Sequence, residues 1–318
     1  MPCSLVLGVN GQDGSYLAES LIARGHQVVG VGRNQASRYI TSSAQFRYVD
    51  LDVTDHAALK RLVEEVAPDF CFHFVAVHGS AGFEYEPLVA EMFATNVVAL
   101  HVLLEYGRLA KKPVRVVYAG SSKIFPAPLI GTIDETTPAR STCLYSIGKI
   151  ASRDLIGHYR KQHGVAATNL ILFNHESPRR PPDFLLPKIA RGIAEARRNP
   201  DSRLNVRTLD FWIDWGAADE FADLAVDIAL KSEEGEFVMA SGVTHHARAV
   251  VYELFGQYGL DGERFVVETL APQDPGPAYQ VSLARMEQAI GRTPVKTVAD
   301  IVSDMLQAHD KQLSGGVI

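Results

Sequence analysis

Three glycines, Gly8, Gly11 and Gly14, stand directly behind the apolar run 4–8 and open a helical segment at 15–24. A turn of this kind gathers backbone amides and a helix N-terminus at one point, which suits a pyrophosphate group. A glycine triplet carries weight only in the order strand, turn, helix, and that is the order here. The remainder of the first half repeats the unit. Strand-like runs at 27–32, 46–49, 70–75, 114–120 and 166–174 alternate with helical segments at 56–66, 87–111 and from Tyr145 to about 163. Such alternation predicts an α/β fold, a Rossmann-type doubly wound parallel sheet with helices on both faces. Sheets of this type bind ligands at the carboxyl ends of their strands.

Past Asn174 the pattern changes. Arg179-Arg180-Pro181-Pro182 interrupts regular structure, and a basic helix follows at 186–198. A helix at 217–231 returns to the sheet, and runs at 237–240 and 265–269 read as short strands of a smaller lobe. Val298, Ile301, Val302 and Met305 recur at helical spacing, so the tail packs down. The expected division gives 1–173 to cofactor binding, with 205–236 returning to it. Residues 174–204 and 237–318 form an interleaved C-terminal α/β lobe for substrate.

A net charge of -6 leaves no basic footprint for nucleic acid and no cationic face for membranes. The apolar runs look short, none approaching the ~20 residues that cross a bilayer. The chain enters a strand at once, without room for a signal peptide. Cys3, Cys71 and Cys143 lie at unrelated spacings, which fits a reducing compartment and excludes a zinc ribbon. A cytoplasmic protein without a metal centre is expected.

The turn residues Gly8, Asn10, Gly11, Gln12, Asp13 and Gly14 are the first candidates for holding a dinucleotide. The end of the second strand chooses the cofactor. An NAD site usually has a carboxylate there for the ribose hydroxyls, whereas this chain has Gly32-Arg33-Asn34. A guanidinium at that position suits a 2′-phosphate, so NADP(H) is expected. Asp52 and Val53 should lie beside the adenine, and Ala76, beyond the fourth strand, is assigned to the same site.

Tyr145 and Lys149 are one helical turn apart and project from one face. An ammonium near a phenol lowers the phenol's pKa, which equips Tyr145 to exchange a proton with a sugar hydroxyl while hydride moves at the nicotinamide. Ser121, at the end of the run 114–120, is placed to hydrogen-bond the same hydroxyl. After a glycine turn and a Ser-Ser strand end, in that order, the Tyr-x-x-x-Lys spacing is strong evidence.

With these motifs the chain resembles the extended short-chain dehydrogenase/reductase family over essentially its whole length, and most of all its GDP-mannose 4,6-dehydratase branch. The matching strings are Gly11-Gln12-Asp13-Gly14-Ser15-Tyr16-Leu17-Ala18, Glu135-Thr136-Thr137-Pro138, Leu172-Phe173-Asn174-His175-Glu176-Ser177-Pro178-Arg179-Arg180 and Asp214-Trp215-Gly216. The resemblance implies Ser121, Tyr145 and Lys149 as the hydride-transfer group, and Asn174, Lys188 and Arg248 as contacts to a nucleotide-sugar. It also implies a homodimer joined through the helices at 87–111 and 145–163. Arg179 and Arg180 are a guanidinium pair suited to substrate phosphates.

The departures are as informative. The dehydratases place a carboxylate two residues after the catalytic Ser/Thr, to remove the C5 proton and help expel water. Here Gly120-Ser121-Ser122-Lys123-Ile124-Phe125-Pro126 puts a lysine there. That string is more similar to GDP-fucose synthase, a 4-keto-sugar epimerase–reductase. The cysteine that enzyme uses is again Lys123, and its histidine partner is Phe184. The dehydratase arginine for substrate phosphates is replaced near Gly276-Pro277, and Cys143-Leu144 stands where that branch has a proline. His245-His246 lacks a third ligand and reads as a surface or hydrogen-bonding pair. His175 reads as a brace of the strand end, and Phe211-Trp212 as core or rim of the small lobe. The redox core is thus present while the elimination and epimerisation groups are missing.

These features point to an NADP(H)-dependent enzyme that reduces a 4-keto group on a nucleotide-diphosphate sugar, GDP-linked in preference, with Lys123 orienting the substrate. Three alternatives stay open: a 4,6-dehydratase with Lys123 as an unusual base, a nucleotide-sugar 4-epimerase, and a non-catalytic NADP(H)-binding sensor.

Overall fold

The computed structural model describes residues 1–79, 82–231 and 235–313. Seven parallel strands form the main sheet, in the order Gly235–Met239, Ala166–Leu172, Arg115–Ala119, Phe70–His73, Cys3–Leu7, Gln27–Gly32 and Phe46–Asp50. Their apolar runs are buried on both faces, as a parallel sheet requires. On one face the helices Gln12–Ala23 and Ala218–Lys231 press Leu17, Leu21, Phe221, Leu224 and Ile228 onto it. On the other, Leu59, Leu100, Leu104, Ile156 and Tyr159 do the same from three helices. The chain reverses direction around Cys3–Leu7, so the crevice at the carboxyl ends opens beside the glycine turn.

Three expectations change. The strand at 237–240, assigned from the sequence to the small lobe, is the edge strand Gly235–Met239 of the main sheet, paired with Ala166–Leu172. A short apolar run has no period that tells one sheet from another. The run 166–174 ends at Leu172, and Asn174–Glu176 begins a second sheet with Trp212–Ala217 and Thr244–His246. The strand read at 265–269 is Val266–Glu268, and it pairs with Leu204–Val206. A small-lobe core gathers Leu186, Ile189, Ile193, Trp215, Val251, Phe255 and Ile301.

The third concerns the segment Glu86–Leu109, which by length and composition is apolar enough to cross a membrane. Polar residues scattered along it hide this from inspection. Here it lies on the sheet, with Leu100, Leu103 and Leu104 fully buried. It is not uniformly α-helical, because Ala94–Val98 is a π turn. The carbonyls of Ala94, Thr95 and Asn96 pair with the His56 ring, the His73 ring and the Ser152 hydroxyl at 3.0, 2.9 and 3.0 Å. Side chains that engage backbone carbonyls in this way are a recognised cause of helix distortion.

His73 is fully buried, and burial followed by the Lys149 charge pushes its pKa down to about 3. Its native form is neutral, so below pH ~6.5 the unfolded chain binds a proton that the folded one refuses, and stability falls as pH drops towards 3. In His73→Gln the fall between pH 6 and 4 should be shallower by about 1.4 kcal/mol per pH unit. Urea midpoints at pH 6, 5 and 4 measure this, and an unchanged slope would contradict the assignment.

Candidate active site

The glycine turn comes first in the chain and sets the rest. Gly8 has φ +90°, and a Cβ on it would lie 2.8 Å from the Val75 amide nitrogen. A Cβ on Gly14 would lie 2.2 Å from the Gly8 carbonyl oxygen, so the turn tolerates no side chain there. The helix it opens has Gly11 as N-cap and no side chain over its amides. A cradle closed to side chains, ending in uncapped amides, fits a pyrophosphate.

The neighbouring candidates have divided roles. Asn10 braces the loop after the second strand: its amide nitrogen reaches Asn34, Ala36 and Tyr48, and its oxygen accepts from the Arg38 N–H. Arg33 is exposed and paired with Glu91 at 3.2 Å, an ion pair weak enough to exchange for a phosphate. Asp52 is exposed and accepts from the Thr54 N–H and hydroxyl, Val53 is buried, and Ala76 is exposed just past the strand Phe70–His73.

Gln12 and Asp13 face the opposite way, towards the strand Asn174–Glu176. The Gln12 amide donates to the His175 carbonyl at 3.2 Å and accepts from the Ser177 hydroxyl at 2.8 Å. Asp13 forms an ion pair with His175 at 3.0 Å. Burial works against the Asp13 carboxylate, yet His175 outweighs it and holds its pKa at about 2. Burial lowers the His175 pKa, yet Asp13 outweighs it and the net direction is up. The ring's Nδ1 donates to the Phe173 carbonyl at 2.6 Å.

The expected redox group is brought together. Tyr145 and Lys149 lie at the start of the helix Leu144–His163, both buried, and the Ser121 hydroxyl hydrogen-bonds the phenol. The Lys149 ammonium donates to the Ala119 carbonyl at 2.6 Å and sits 4.5 Å from the centre of the Tyr118 ring and 5.5 Å from that of Tyr145. One expectation is reversed in the protein alone. The Tyr145 pKa is raised, first by burial and then by Tyr118, against the lowering from Ser121. Burial also brings Lys149 down to about 7, which weakens the ammonium that was to lower it. Lys123 is exposed on the turn that follows, its amide donating to the Ser121 oxygen at 3.2 Å.

The candidate substrate residues are less uniform. Asn174 is exposed at the start of its strand, opposite Trp215, and Lys188 is half-buried on the helix Leu185–Ala196. Arg179 is docked on the first helix, donating to Ser15 at 2.9 Å and Glu19 at 2.7 Å and lying over the Tyr16 ring. Arg180 meets Glu176 at 3.3 Å, and burial raises that carboxyl to about 7. Arg248 is held between Asp210 at 2.6 Å and Glu268 at 2.7 Å. These carboxylates are remote in sequence, and nothing in the local pattern announces them. The sequence reading also passed over His78 and Tyr85, whose rings pack against Tyr145; Phe184, noted there in place of a histidine, lies against the His78 ring. The only signal for His78 is its position just beyond a strand end.

The model of the family described as GDP-mannose 4,6 dehydratase matches residues 5–285 of this chain. The chain belongs to that family. A GDP-mannose 4,6-dehydratase from Vibrio cholerae is 32% identical over 349 residues, covering 95% of this chain and 92% of the relative. Two solved structures share the fold. A dTDP-glucose 4,6-dehydratase from Bacillus anthracis in complex with NAD has TM-score 0.81 and 16% identity, covering 99% of each chain. RMD from Pseudomonas aeruginosa, complexed with NADPH, has TM-score 0.78 and 18% identity, covering 97% of this chain and 99% of its own. As a member of the GDP-mannose 4,6-dehydratase family the protein is an enzyme of the nucleotide-sugar-modifying dehydratase and epimerase class.

The Asp13–His175 pair has a definite pH window. Asp13, held low, stabilises the fold above its unfolded pKa and loses this as pH falls towards 2; His175, held high, stabilises it below pH ~6.5 and loses this as pH rises through its folded value. Asp13→Asn should cost about 3 kcal/mol near pH 6, where both partners are charged, and markedly less at pH 9. Chemical denaturation at the two pH values gives the comparison; an equal loss at both would mean that the pair acts by packing alone.

Proposed function

We propose that this enzyme is an NADP(H)-dependent reductase of a 4-keto group on a nucleotide-diphosphate sugar, GDP-linked in preference. The observation that carries the reading is the contrast within one strand end. Ser121, Tyr145 and Lys149 form a buried proton-transfer group, while residue 123 on the adjoining turn is an exposed lysine. Reduction needs the first set alone, whereas removal of a carbon-bound proton needs a base, and a lysine serves as one only when deprotonated.

In this reading the glycine turn holds the pyrophosphate of the cofactor, Arg33 leaves Glu91 for the 2′-phosphate, and Asp52, Val53 and Ala76 line the adenosine side. The structurally similar proteins contain NAD in one case and NADPH in the other, so the fold leaves the choice to Arg33-Asn34. When bound, the nicotinamide supplies the hydride. Tyr145 gives its proton to the 4-oxygen, Ser121 holds that oxygen, and Lys149 stabilises the phenolate left behind. Asn174, Lys188 and the arginines of the small lobe take the nucleotide-sugar, with Arg248 released from a carboxylate. Self-association through the helices Glu86–Leu109 and Leu144–His163 and a cytosolic location belong to the same proposal; Val98, Leu109 and Ile147 are exposed on those helices.

A second reading, 4,6-dehydration of GDP-mannose, is favoured by the family match and by the Vibrio relative's activity. Mass spectrometry separates the two. Purified protein is incubated with GDP-mannose and NADP+, and in parallel with GDP-4-keto-6-deoxymannose and NADPH. Gain of two hydrogens in the second mixture with the first unchanged is the expected result; loss of water in the first makes the enzyme a dehydratase. Tyr145→Phe should reduce turnover by at least about 10²-fold. Arg33→Ala should weaken NADPH about 10- to 100-fold relative to NADH, the size of one charge-assisted phosphate contact. An unchanged cofactor ratio in titrations followed by NAD(P)H fluorescence would assign the preference elsewhere.

A further inference from the structure

The face of Tyr145 turned to the cleft is covered by aromatic rings that neither the motifs nor the family match assign. His78 lies with its ring centre 4.8 Å from that of Tyr145, tilted by 34°, and 5.9 Å from Phe184. Tyr85 stacks on Tyr145 with ring centres 5.6 Å apart. The Tyr85 hydroxyl touches His78 Nδ1 at 3.0 Å and the Gly79 amide nitrogen at 3.5 Å. An amide only donates, so the Tyr85 oxygen accepts from Gly79, which leaves its own proton free to point to His78 Nδ1. In that arrangement the ring's proton sits on Nε2, which has no hydrogen-bond partner among the described residues.

The charge state follows from what surrounds the ring. Lys149 on the tyrosine helix, Arg180 and His175 in the motif after the strand Ala166–Leu172, and Lys123 on the serine turn all act on His78 as cations, with Tyr85 and Tyr145 as its neutral neighbours. Part of the His78 ring reaches the surface, and partial burial first, then Arg180 and the others, lower its pKa from the ordinary histidine value. A neutral imidazole that donates to a reacting oxygen is an established catalytic device, since it is a better match to a nascent alkoxide than a water molecule free to reorient.

We propose that His78 is a further catalytic residue, whose Nε2–H donates a hydrogen bond to the sugar oxygen that Tyr145 protonates. The inference rests on the reading of this site as one that acts at a sugar oxygen. The proton transferred still comes from Tyr145; His78 keeps its own and lowers the energy of the charge that builds on that oxygen, beside the hydroxyl of Ser121.

The test sets a donor against a stacking ring. His78→Phe keeps the ring and removes the donor, and His78→Gln keeps a donor near the Nε2 position and removes the ring. With GDP-4-keto-6-deoxymannose and NADPH, His78→Phe should lower kcat about 10²-fold with KM within about threefold, and His78→Gln should recover most of the loss. The reverse order, an active Phe variant and a crippled Gln variant, would reduce His78 to packing and overturn the proposal. If wild type acts on GDP-mannose and NADP+ instead, the same comparison is made there, because the same oxygen is involved in both directions. Nitrogen-15 NMR of histidine-labelled protein provides a readout free of turnover. It should show the proton on Nε2 and a bare Nδ1 from pH 8 to 5, and a shift of the proton towards Nδ1 in Tyr85→Phe. A proton on Nδ1, or an imidazolium, in wild type sinks the inference whatever the substrate. Should wild type turn over neither sugar, the substrate reading fails, and the tautomer alone then decides for or against His78.

Discussion

Everything in the site hangs on the clasp between the glycine turn and the strand Asn174–Glu176. That strand belongs to the second sheet, so its position relative to the main sheet is a tertiary matter. Gln12 and Asp13 fix it with the His175 carbonyl, the Ser177 hydroxyl and the His175 ring, Asp13 being partly exposed and the others buried. A buried ion pair is a costly way to join two surfaces unless its remaining polar atoms are satisfied. Here the His175 ring also donates to Phe173 and Gln12 donates to Asp13, so the requirement is largely met. The consequence is functional. The same turn that leaves helix amides uncapped also sets where Asn174 and the two arginines stand.

Low dielectric tunes the chemistry in one direction. Tyr145 is held protonated, while Lys149 and His78 are pushed towards neutrality, and in each case burial is the first cause. The fixed charges that act on His78 are cationic, Arg180 and His175 among them, and the Ser121 hydroxyl stands beside the Tyr145 phenol. The small lobe follows another rule. Arg248 is closed into a set with Asp210 and Glu268, and Arg179 is tied to Ser15 and Glu19 of the first helix, so these two guanidiniums already have anionic partners.

Part of this was legible along the chain. The glycine turn, the strand–helix alternation and the Tyr145–Lys149 spacing are local patterns, and local patterns dictate the main sheet and the redox group. The unexpected parts are those in which distance along the chain says nothing about distance in space. The strand Gly235–Met239 joined the main sheet because Ala166–Leu172 offered it an unpaired edge. The π turn at Ala94–Val98 exists because His56, His73 and Ser152 reach its carbonyls from three separate elements. Arg248 carries the residue type expected of a substrate contact, but its partners come from two other segments.

The sequence by itself determined that the chain forms a parallel α/β sheet with a glycine turn before its first helix and a tyrosine–lysine pair on one helical face, because backbone sterics, side-chain periodicity and glycine's missing Cβ act over a few residues. Only the tertiary structure decided the protonation states at Tyr145, Lys149 and His78 and the pairing of each arginine. Those depend on which groups are desolvated together, and desolvation is a property of the assembled fold.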